Sequence, residues 1–470
     1  MNLKKFIGDK KFYSLVFMIA LPIMLQNGIT NFVSFLDNFM VGLIGTEQMS
    51  AVGIINQLVF VFNLFIFGSV SGVGIFTAQF FGRGDEEGVR ITFRYKIVVA
   101  VIITAILLAL LLSLQDGLIS LFLNEGSLEG DLELTLKFAK DYLKIAFIGL
   151  VPYAFCQCYS DTLRQIGQTV VPMVSGAIAV CINFILNYLL IFGKAGFPEM
   201  GVRGAALATV VARFFECVIV VVYTHIKSDK YTFIKGAYGK FSLPFNTIKA
   251  ITKKAFPLFV NEALWSLGMT MLARCYAVRG IAVFAGFNVA TTIQNVFNIA
   301  FLSLGNAVGI IVGNYLGAGE FDKARDSDNK LIAFSVAVSV LCGVVMFSVA
   351  PLISSIYTEI SAEARDIATY GMRVMAIMLP FQAFLHATYF TLRSGGKTIV
   401  TFVFDSLFIW AVSVPLALIT VHFTDLSIKV IFPLVYSVDL IKCIIGFILV
   451  YKGVWIKKLD GKETSDVLEN

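Results

Sequence analysis

The chain has 470 residues, of which 58% are hydrophobic and 14% are charged, and its mean hydropathy is +0.83. Soluble proteins are typically about 45–50% apolar and about 25% charged, so water alone could not accommodate this much apolar surface. The net charge of +6 is spread over short loops rather than gathered into one patch. These values exclude a soluble enzyme, a disordered scaffold and a nucleic-acid-binding protein, and they predict a multi-pass protein in contact with the lipid bilayer.

Twelve apolar runs are long enough to cross the hydrocarbon core as helices, which takes about 20 residues each. Continuous runs of this length favour helices over barrel strands, which would alternate in polarity over about ten residues. The sequence therefore predicts an all-α membrane protein. The predicted spans are 14–41, 51–78, 96–115, 137–160, 169–192, 204–224, 255–278, 283–315, 331–353, 367–392, 399–421 and 430–451.

The distribution of charge between the spans predicts the topology. Most lysines and arginines lie in the tail and loops that share a side with the N-terminus, whereas residues 115–136 contain five acidic residues and no basic one. By the positive-inside rule, both termini are expected in the cytoplasm. The first apolar run is too long for a cleavable signal and is interpreted as the first span.

The two sets of six spans are copies of one another. A shift of 235 residues places Pro22 on Pro257 and the glycines of 82–84 on those of 317–319, and a Thr-Leu-Arg-x-x-Gly-x-Thr motif occurs at 162–169 and at 391–398. Each copy has an even number of spans, so the repeat is parallel, with its axis along the membrane normal. We expect two pseudo-symmetric six-helix bundles, residues 1–224 and 255–470, joined by a cytoplasmic linker at 225–254. Duplicated bundles of this kind are typical of transporters.

One face of span 1 is polar, and Asp37 is its only carboxylate. An ionisable group inside a span is costly and is by default a functional hypothesis. Asp37 is therefore predicted to bind the coupling ion, a proton or sodium, with a structural pair to Arg274 as the alternative. The other polar residues of this face are predicted to line a substrate cavity: Gln26, Asn27, Thr30, Asn31 and Ser34.

Spans 5 and 6 supply further polar groups. Asn183 and Asn187 are four residues apart and share a helix face, and span 6 carries Thr209. These groups are predicted to complete the ion site, the alternative being hydrogen bonds that simply join helices. Arg213 and Glu216, three residues apart on span 6, are expected to pair with each other.

The second copy carries its own intramembrane carboxylate, Glu262, predicted to face the substrate cavity with Met269 and Tyr276. The alternative is a hydrated carboxylate near the inner end of span 7. Asp439 and Lys442 are expected to form a local ion pair.

Four residues at matching places in the two copies are candidates for conformational roles. Arg164 and Arg393 of the repeated motif are predicted to close the cytoplasmic side, or else to snorkel to the interface. Pro22 and Pro257 are predicted hinges, or else mark helix entries.

Several chemistries have no counterpart in the sequence. There is no Gly-x-x-x-x-Gly-Lys-Ser/Thr loop to bind ATP phosphates, no nucleophile motif of a hydrolase, and no metal-ligand or disulfide spacing among the seven cysteines. We therefore expect no enzyme activity, no metal and no cofactor, with transport driven by a gradient of H⁺ or Na⁺.

The sequence resembles the multidrug and toxic compound extrusion (MATE) family over about residues 10–455, in particular the bacterial DinF-like branch. The residues that carry the resemblance are Leu21-Pro22, the Asp37-x-x-x-Val-Gly42 segment, Ala51-Val-Gly53, Gly72-x-Gly74, Ala78-Gln79-Phe-x-Gly82, the Thr162–Thr169 motif, Asn183-x-x-x-Asn187 and Gly204-Ala-Ala-Leu-Ala-Thr209. The resemblance implies a V-shaped pair of six-helix bundles that exports organic cations and other amphiphilic drugs in exchange for protons or sodium, by rocking between inward and outward states. We expect a monomer in the bacterial inner membrane.

The resemblance also implies roles for individual residues. In the DinF-like pattern, an aspartate of span 1 acts with an asparagine and an aspartate of span 5 and a threonine of span 6, which correspond here to Asp37, Asn183, Asn187 and Thr209. Asn187 departs from the pattern, so Asp37 would carry the charge change alone. Other branches use a glutamate of span 7, but Glu262 lies closer to the preceding proline than that pattern has it.

Two other functions remain open at the level of sequence. A lipid-linked oligosaccharide flippase of the same superfamily would be expected to have more spans or a strongly cationic cavity, which this chain lacks. A non-transporting membrane sensor would need a signalling domain, and both tails are short.

Overall fold

A computed structural model describes residues 6–123, 132–239, 242–358 and 361–459. Within these ranges the chain forms twelve long helices in the order expected from the apolar runs, and the prediction of an all-α membrane fold is confirmed. The helices are α1 (Lys10–Gly42), α2 (Thr46–Gly82), α3 (Glu86–Leu123), α4 (Leu132–Gln165), α5 (Val170–Ile191), α6 (Val202–Ile226), α7 (Phe245–Ala277), α8 (Ile281–Ala318), α9 (Phe321–Ile356), α10 (Ala362–Ser394), α11 (Thr398–Phe423) and α12 (Ile428–Tyr451).

Eleven helices of the described chain are long and apolar enough to cross a membrane by length and composition. The twelfth, α7, is 33 residues long but is not among them. It carries three lysines in its first ten residues, together with Glu262 and Arg274 farther along. Large apolar side chains lie exposed along these helices, for example Phe32 (62%), Leu341 (66%) and Ile444 (63%). Lipid tails would cover such faces in a membrane.

Two glycine pairs explain the repeated motifs at helix ends. Gly84 and Gly319 have φ angles of +74° and +78°, and Gly167 and Gly396 have φ angles of +78° and +69°. Side chains rarely adopt this left-handed backbone, and glycine does so without steric cost. Each motif therefore stops one helix and turns the chain into the next at the same point of both copies.

The two prolines lie inside helices. Pro22 falls within α1 and Pro257 within α7, each 12 residues after the first residue of its helix. A proline in a helix interior removes one hydrogen bond and crowds the preceding turn. Neither proline therefore marks a helix entry, and their role as hinges stays a prediction.

The residues group into two compact units that are not continuous in sequence. Unit 1 contains residues 1–24, 78–85 and 249–470, and unit 2 contains residues 25–77 and 86–248. The larger apolar clusters of unit 1 lie around α8 and α10, with Val308, Leu392 and Trp455, and around α10 to α12, with Met372 and Phe432.

In unit 2 the segment that follows α6 is bound to α3. Arg94 is 4% exposed and donates to the carbonyl oxygens of Gly236 and Ala237, each at 2.8 Å. Tyr238 then contacts Tyr159 of α4 through their hydroxyl groups at 2.5 Å. A buried guanidinium satisfies several carbonyl groups at once, so this part of the linker is fixed on unit 2.

Candidate functional site

Asp37 lies five residues before the last residue of α1, and its side chain is partly buried. The side-chain amide of Asn187, which is 0% exposed, donates to Asp37 Oδ1 at 2.6 Å. A donor at this distance from an ionised acceptor makes a charge-assisted hydrogen bond, stronger than one between neutral groups. The contact joins α1 directly to α5 within unit 2.

Asn183, one helical turn before Asn187, also faces Asp37. With its amide oriented so that nitrogen points to the carboxylate, Asn183 donates to both Asp37 oxygens, at 2.9 and 3.1 Å. In the opposite orientation its oxygen faces that carboxylate and its nitrogen donates to Thr209 Oγ1 at 3.3 Å. Amide orientation is assigned from hydrogen bonding, and the orientation with nitrogen toward Asp37 is the one that satisfies both atoms of the amide.

Thr209 and Tyr142 complete the group. Thr209 Oγ1 lies 3.3 Å from the side-chain amide of Asn183 and donates to the Ala205 carbonyl at 3.1 Å. Tyr142 of α4 is buried beside Thr209 and within electrostatic range of Asp37. The sequence analysis did not single out Tyr142, because helix periodicity gives no reason to connect α4 with the polar face of span 1.

The structure thus brings together four residues predicted for the ion site: Asp37, Asn183, Asn187 and Thr209. We call these four residues the Asp37 cluster. Its hydrogen-bond donors are neutral amides. The nearby Arg213 acts electrostatically on Asp37 but pairs with Glu216 at 3.4 Å, as predicted, and its guanidinium lies over the ring of Tyr153 at 4.6 Å. Arg274 belongs to unit 1, so its pairing with Asp37 remains only a prediction.

Gln26 of α1 contacts the repeated motif at the end of α4. Arg164 Nη2 donates to Gln26 Oε1 at 2.7 Å. At Gly176 of α5, an added Cβ would lie 3.1 Å from Gln26 Nε2 and 3.6 Å from Glu216 Oε1. Gln26, Arg164 and Glu216 therefore converge on α5, a second polar group within unit 2 that lies three helical turns from Asp37.

The remaining side chains predicted for the polar face of α1 are more open. Asn27 is partly buried, Asn31 is exposed, and Thr30 is exposed with its hydroxyl donating to the Gln26 carbonyl at 2.9 Å. The side chain of Ser34 lies outside the described residues. An accessible polar stripe on one helix is what a hydrated cavity would require, and its assignment to substrate stays a prediction.

Unit 1 holds its carboxylates differently. Glu262 of α7 accepts from the Tyr389 hydroxyl at 3.0 Å and lies 3.9 Å from Arg393 Nη1, and its side chain is 16% exposed. Arg393 is 5% exposed and also lies over the ring of Phe390 at 5.4 Å. The predicted gating arginine and the predicted cavity glutamate of the second copy therefore form one ion pair.

A second ion pair lies beside the first. Asn261, 1% exposed, donates to Asp405 Oδ2 at 3.0 Å and accepts from the Ser406 hydroxyl at 2.7 Å. Lys442 Nζ is 3.6 Å from Asp405 and 3.9 Å from Asp439. Asp405 and Ser406 lie in a π-helical stretch of α11, a departure from α geometry that is frequent at functional sites. The predicted Asp439–Lys442 pair is present, and Asp405 joins it.

The last two predicted cavity residues lie apart from one another. Tyr276 is 2% exposed and packs edge-on against Phe432, with ring centroids 5.6 Å apart. Met269, two turns earlier on α7, is 39% exposed. The structure therefore places one of them in the apolar core of unit 1 and the other at its surface, and contact of either with substrate stays a prediction.

The profile of the MatE family matches residues 22–189 and again residues 257–423. The two matches begin 235 residues apart, at Pro22 and Pro257, which is the register of the internal repeat. Together they cover more than half of the chain.

The chain belongs to the MatE family. Members of this family are transporters rather than enzymes, they are multi-pass membrane proteins, and they need no cofactor.

Curated MATE relatives align along most of the chain. A probable multidrug resistance protein NorM of Thermotoga maritima is 26% identical over 410 residues, covering 87% of this chain and 86% of the relative. A probable multidrug resistance protein YoeA of Bacillus subtilis is 25% identical over 458 residues, covering 94% of each.

Solved MATE structures share the fold. An outward-facing multidrug resistance MATE transporter of the MOP superfamily superposes with a TM-score of 0.84 at 19% identity, covering 97% of this chain and 99% of the other. A MATE solved in complex with MaD3S gives a TM-score of 0.84 at 18% identity, covering 96% and 98%. The two-lobe MATE architecture predicted from the resemblance is confirmed.

Proposed function

We propose that this MATE protein is a secondary antiporter that exports organic cations and other amphiphilic drugs in exchange for H⁺ or Na⁺. The observation that carries the proposal is the Asp37 cluster, in which a carboxylate inside a membrane helix is held by neutral amides. Such a carboxylate gains most from an ion supplied from outside, because a charge is costly at this depth. The printed names of the curated relatives, multidrug resistance proteins, support drugs as the cargo.

Rotation of the Asn183 amide about its side-chain bond would suit the two occupancies of the site. With its nitrogen toward Asp37, the amide stabilises the carboxylate without a bound cation. With its oxygen toward Asp37, it adds an oxygen ligand, and Asn187 Oδ1 is a second buried oxygen that has no hydrogen-bond partner among the described atoms. Carboxylate, carbonyl and hydroxyl oxygens are the donors that hard cations prefer. Sodium would use these oxygens, whereas a proton would need Asp37 alone.

The transport cycle follows from the neutralisation of Asp37. An ion that enters from outside removes the negative charge and weakens the hold of Asn187 on α1. The helix can then repack, with Pro22 as the proposed hinge, and release the drug outward. The ion-loaded carrier returns inward and discharges the ion where its concentration is lower. We propose the bacterial inner membrane as its location, with both termini in the cytoplasm and a monomer as the working form.

The test is ethidium efflux from proteoliposomes under an imposed proton or sodium gradient. Wild type is expected to pump under one of the two gradients, and Asp37→Asn, which keeps the shape but cannot ionise, is expected to lose gradient-driven efflux. Asp229→Asn is the control, because Asp229 is a carboxylate of unit 2 in the segment after α6, where it pairs with Lys235 at 2.6 Å. Full efflux by Asp37→Asn would contradict the mechanism.

Substitution of the uncharged residues of the Asp37 cluster tests whether the coupling ion is sodium or a proton. Asn183→Ala and Thr209→Ala remove oxygen atoms without removing charge. If sodium is the ion, each variant should need about tenfold more sodium for half-maximal efflux, since losing one ligand or hydrogen bond costs on the order of 1.4 kcal/mol. If a proton is the ion, Thr209→Ala should move the pH dependence little, because the Thr209 hydroxyl donates to the Ala205 carbonyl and not to Asp37. Wild-type proteoliposomes that move no ethidium under either gradient would exclude promiscuous cation export and leave lipid flipping or a narrow substrate.

A further inference from the structure

The last turn of α2 is bound to the segment that follows α12. Gln79 is 1% exposed, and its amide nitrogen donates to the carbonyl oxygens of Ser394 at 2.8 Å and Lys457 at 3.3 Å. Its amide oxygen accepts from the Leu459 backbone N–H at 2.7 Å. Both donor hydrogens and one acceptor position of Gln79 are thus used. One side chain of the first copy ties together the end of α10 and residues 452–459, which we call the C-terminal segment.

The backbones of α2 and α8 are in direct contact beside Gln79. A Cβ at Gly82 would lie 1.9 Å from the carbonyl oxygen of Asn314, and a Cβ at Gly317 would lie 2.0 Å from that of Gln79. No side chain fits at such a distance, so glycine is required at both places. The two contacts are related by the 235-residue register, since Asn314 is the repeat equivalent of Gln79 and Gly317 that of Gly82.

The hydrogen bonds of Gln79 break this symmetry. Asn314, its equivalent, is one methylene shorter, and its side-chain oxygen is buried with no hydrogen-bond partner among the described atoms. The segment after α6, which corresponds to the C-terminal segment, is bound instead to Arg94 of α3. The contact made by Gln79 is therefore an addition to the repeat rather than a consequence of it.

Gln79 lies at the point where α2 passes from one compact unit to the other. Residues of α2 up to Thr77 belong to unit 2, whereas residues 78–85 belong to unit 1. A transport cycle that moves the units must either bend α2 near residue 78 or detach its last turn from unit 1. Detachment would break the three hydrogen bonds of the buried Gln79 amide. Water can replace these hydrogen bonds only after the site has opened to solvent.

We propose that Gln79 and the C-terminal segment form a latch that holds the last turn of α2 on unit 1 and must release in each transport cycle. This inference rests on the alternating-access function proposed above. Gln79 acts as a positioning residue, and it contacts neither ion nor drug. The C-terminal segment thereby sets the ease of switching, although it lies outside the repeat.

A disulfide across the same crossing tests the latch. A Cβ at residue 313 would lie 3.0 Å from the Cβ of Ala78, slightly closer than the roughly 3.5–4.5 Å of disulfides. The Ala78→Cys/Gly313→Cys protein would be made in a background in which the seven native cysteines are replaced. We expect the oxidised protein to lose ethidium efflux and the reduced protein to regain it. Each single cysteine variant serves as the control for oxidation itself. Undiminished efflux with the disulfide shown by mass spectrometry to be formed would overturn the latch.

Hydrogen exchange gives a second measurement that does not depend on Gly313 tolerating a side chain. Amides of the C-terminal segment should exchange about tenfold faster in wild type when ethidium and the gradient are present, because the latch is then open part of the time. In Gln79→Leu they should exchange fast under both conditions. Gln165→Leu of α4, whose amide contacts Asp161 at 3.3 Å, is the matched control.

The outcomes separate the latch from the function on which it rests. One outcome would overturn the latch and leave the proposed antiporter function intact. It is a wild-type protein that exports ethidium while its C-terminal segment exchanges hydrogen at the same rate with and without ethidium and the gradient. If wild type moves no ethidium, the proposed function fails first, and the latch fails with it as a step of that cycle.

Discussion

Asp37 of unit 2 and Glu262 of unit 1 are carboxylates inside long helices, but their partners differ. In unit 2, Asp37 is held by the amides of Asn187 and Asn183. In unit 1, Glu262 lies beside Arg393, and Asp405 and Asp439 lie beside Lys442. Amides stabilise a carboxylate without cancelling its charge, whereas an ammonium or guanidinium cancels it. The comparison teaches that Glu262, Asp405 and Asp439 have a cation of the chain beside them, whereas the hydrogen-bond donors to Asp37 are neutral.

A second contrast lies at the repeated threonines. Lys96 of α3 is 0% exposed, pairs with Asp161 at 2.7 Å and donates to Thr162 at 3.1 Å. In the second copy, Thr391 faces Asp328 of α9, whose carboxyl oxygen lies 2.5 Å from its hydroxyl. The register places Leu331 where the first copy has Lys96. The two copies keep the same backbone motif, but a basic side chain packs against it in the first copy and an acidic one in the second.

The largest expected effect separates Asp37 from Asp405. If unit 2 binds the coupling ion, Asp37→Asn should lower gradient-driven ethidium efflux to the level of empty liposomes. Asp405→Asn should keep about half of the wild-type rate or more, since Lys442 retains Asp439 as a partner and no buried cation is left alone. The measurement is the initial efflux rate of both variants at equal protein density. Equal losses in the two variants would remove the distinction between the units.

A smaller effect concerns stability in unit 2. Lys96→Met should lower the free energy of unfolding by about 3 kcal/mol, because it leaves the carboxylate of Asp161 buried without its cation. Lys96→Met/Asp161→Asn should recover most of that loss. Thermal unfolding in a fixed detergent gives the comparison, and a double variant no more stable than the single one would argue that the pair acts through another contact.

Asn187 stands where the DinF-like pattern has an aspartate, and restoring that aspartate tests the role of charge in the Asp37 cluster. Asn187→Asp would place a second carboxylate 2.6 Å from Asp37, at the distance of the present hydrogen bond. Two carboxylates this close cannot both stay charged without a cation. We expect half-maximal efflux at an ion concentration roughly tenfold lower, an affinity gain of about 1.4 kcal/mol. An unchanged ion dependence would show that the ion binds elsewhere than at Asp37.

The smallest effect is expected at Asp328. Asp328→Asn keeps the oxygen that accepts from Thr391, and the described chain places no basic side chain in an ion pair with Asp328. The loss of stability should therefore be about 1 kcal/mol or less, well below that of Lys96→Met. A loss as large as that of Lys96→Met would mean that Asp328 is charged and neutralised by a cation.

Much of the fold follows from sequence patterns. The lengths of the apolar runs predicted the long helices, and the 235-residue register reappears in the family matches and in the reciprocal contacts of Gly82 and Gly317. Helix periodicity also predicted that Asn183 and Asn187 share a face. The domain boundaries at 224 and 255 stay a prediction.

Contacts between different helices could not be predicted from the sequence, because helix periodicity describes each helix separately. Lys96 and Asp161 are 65 residues apart on α3 and α4, and nothing in either helix alone pairs them. The same holds for Tyr142 beside Thr209, and for Asn261, which connects α7 to the π-helical stretch of α11. The departure of α11 from α geometry has no marker in its composition, and the contacts of Asn261 with Asp405 and Ser406 are seen only in the fold.

The reciprocal glycine contact has an evolutionary consequence. Gly82 meets the residue equivalent to Gln79, and Gly317 meets Gln79 itself, as in an isologous interface where residue i contacts j and j contacts i. A six-helix ancestor with a single such glycine could therefore have made both contacts between two identical polypeptides. The crossing of α2 and α8 therefore has, inside one chain, the reciprocal geometry of an isologous contact.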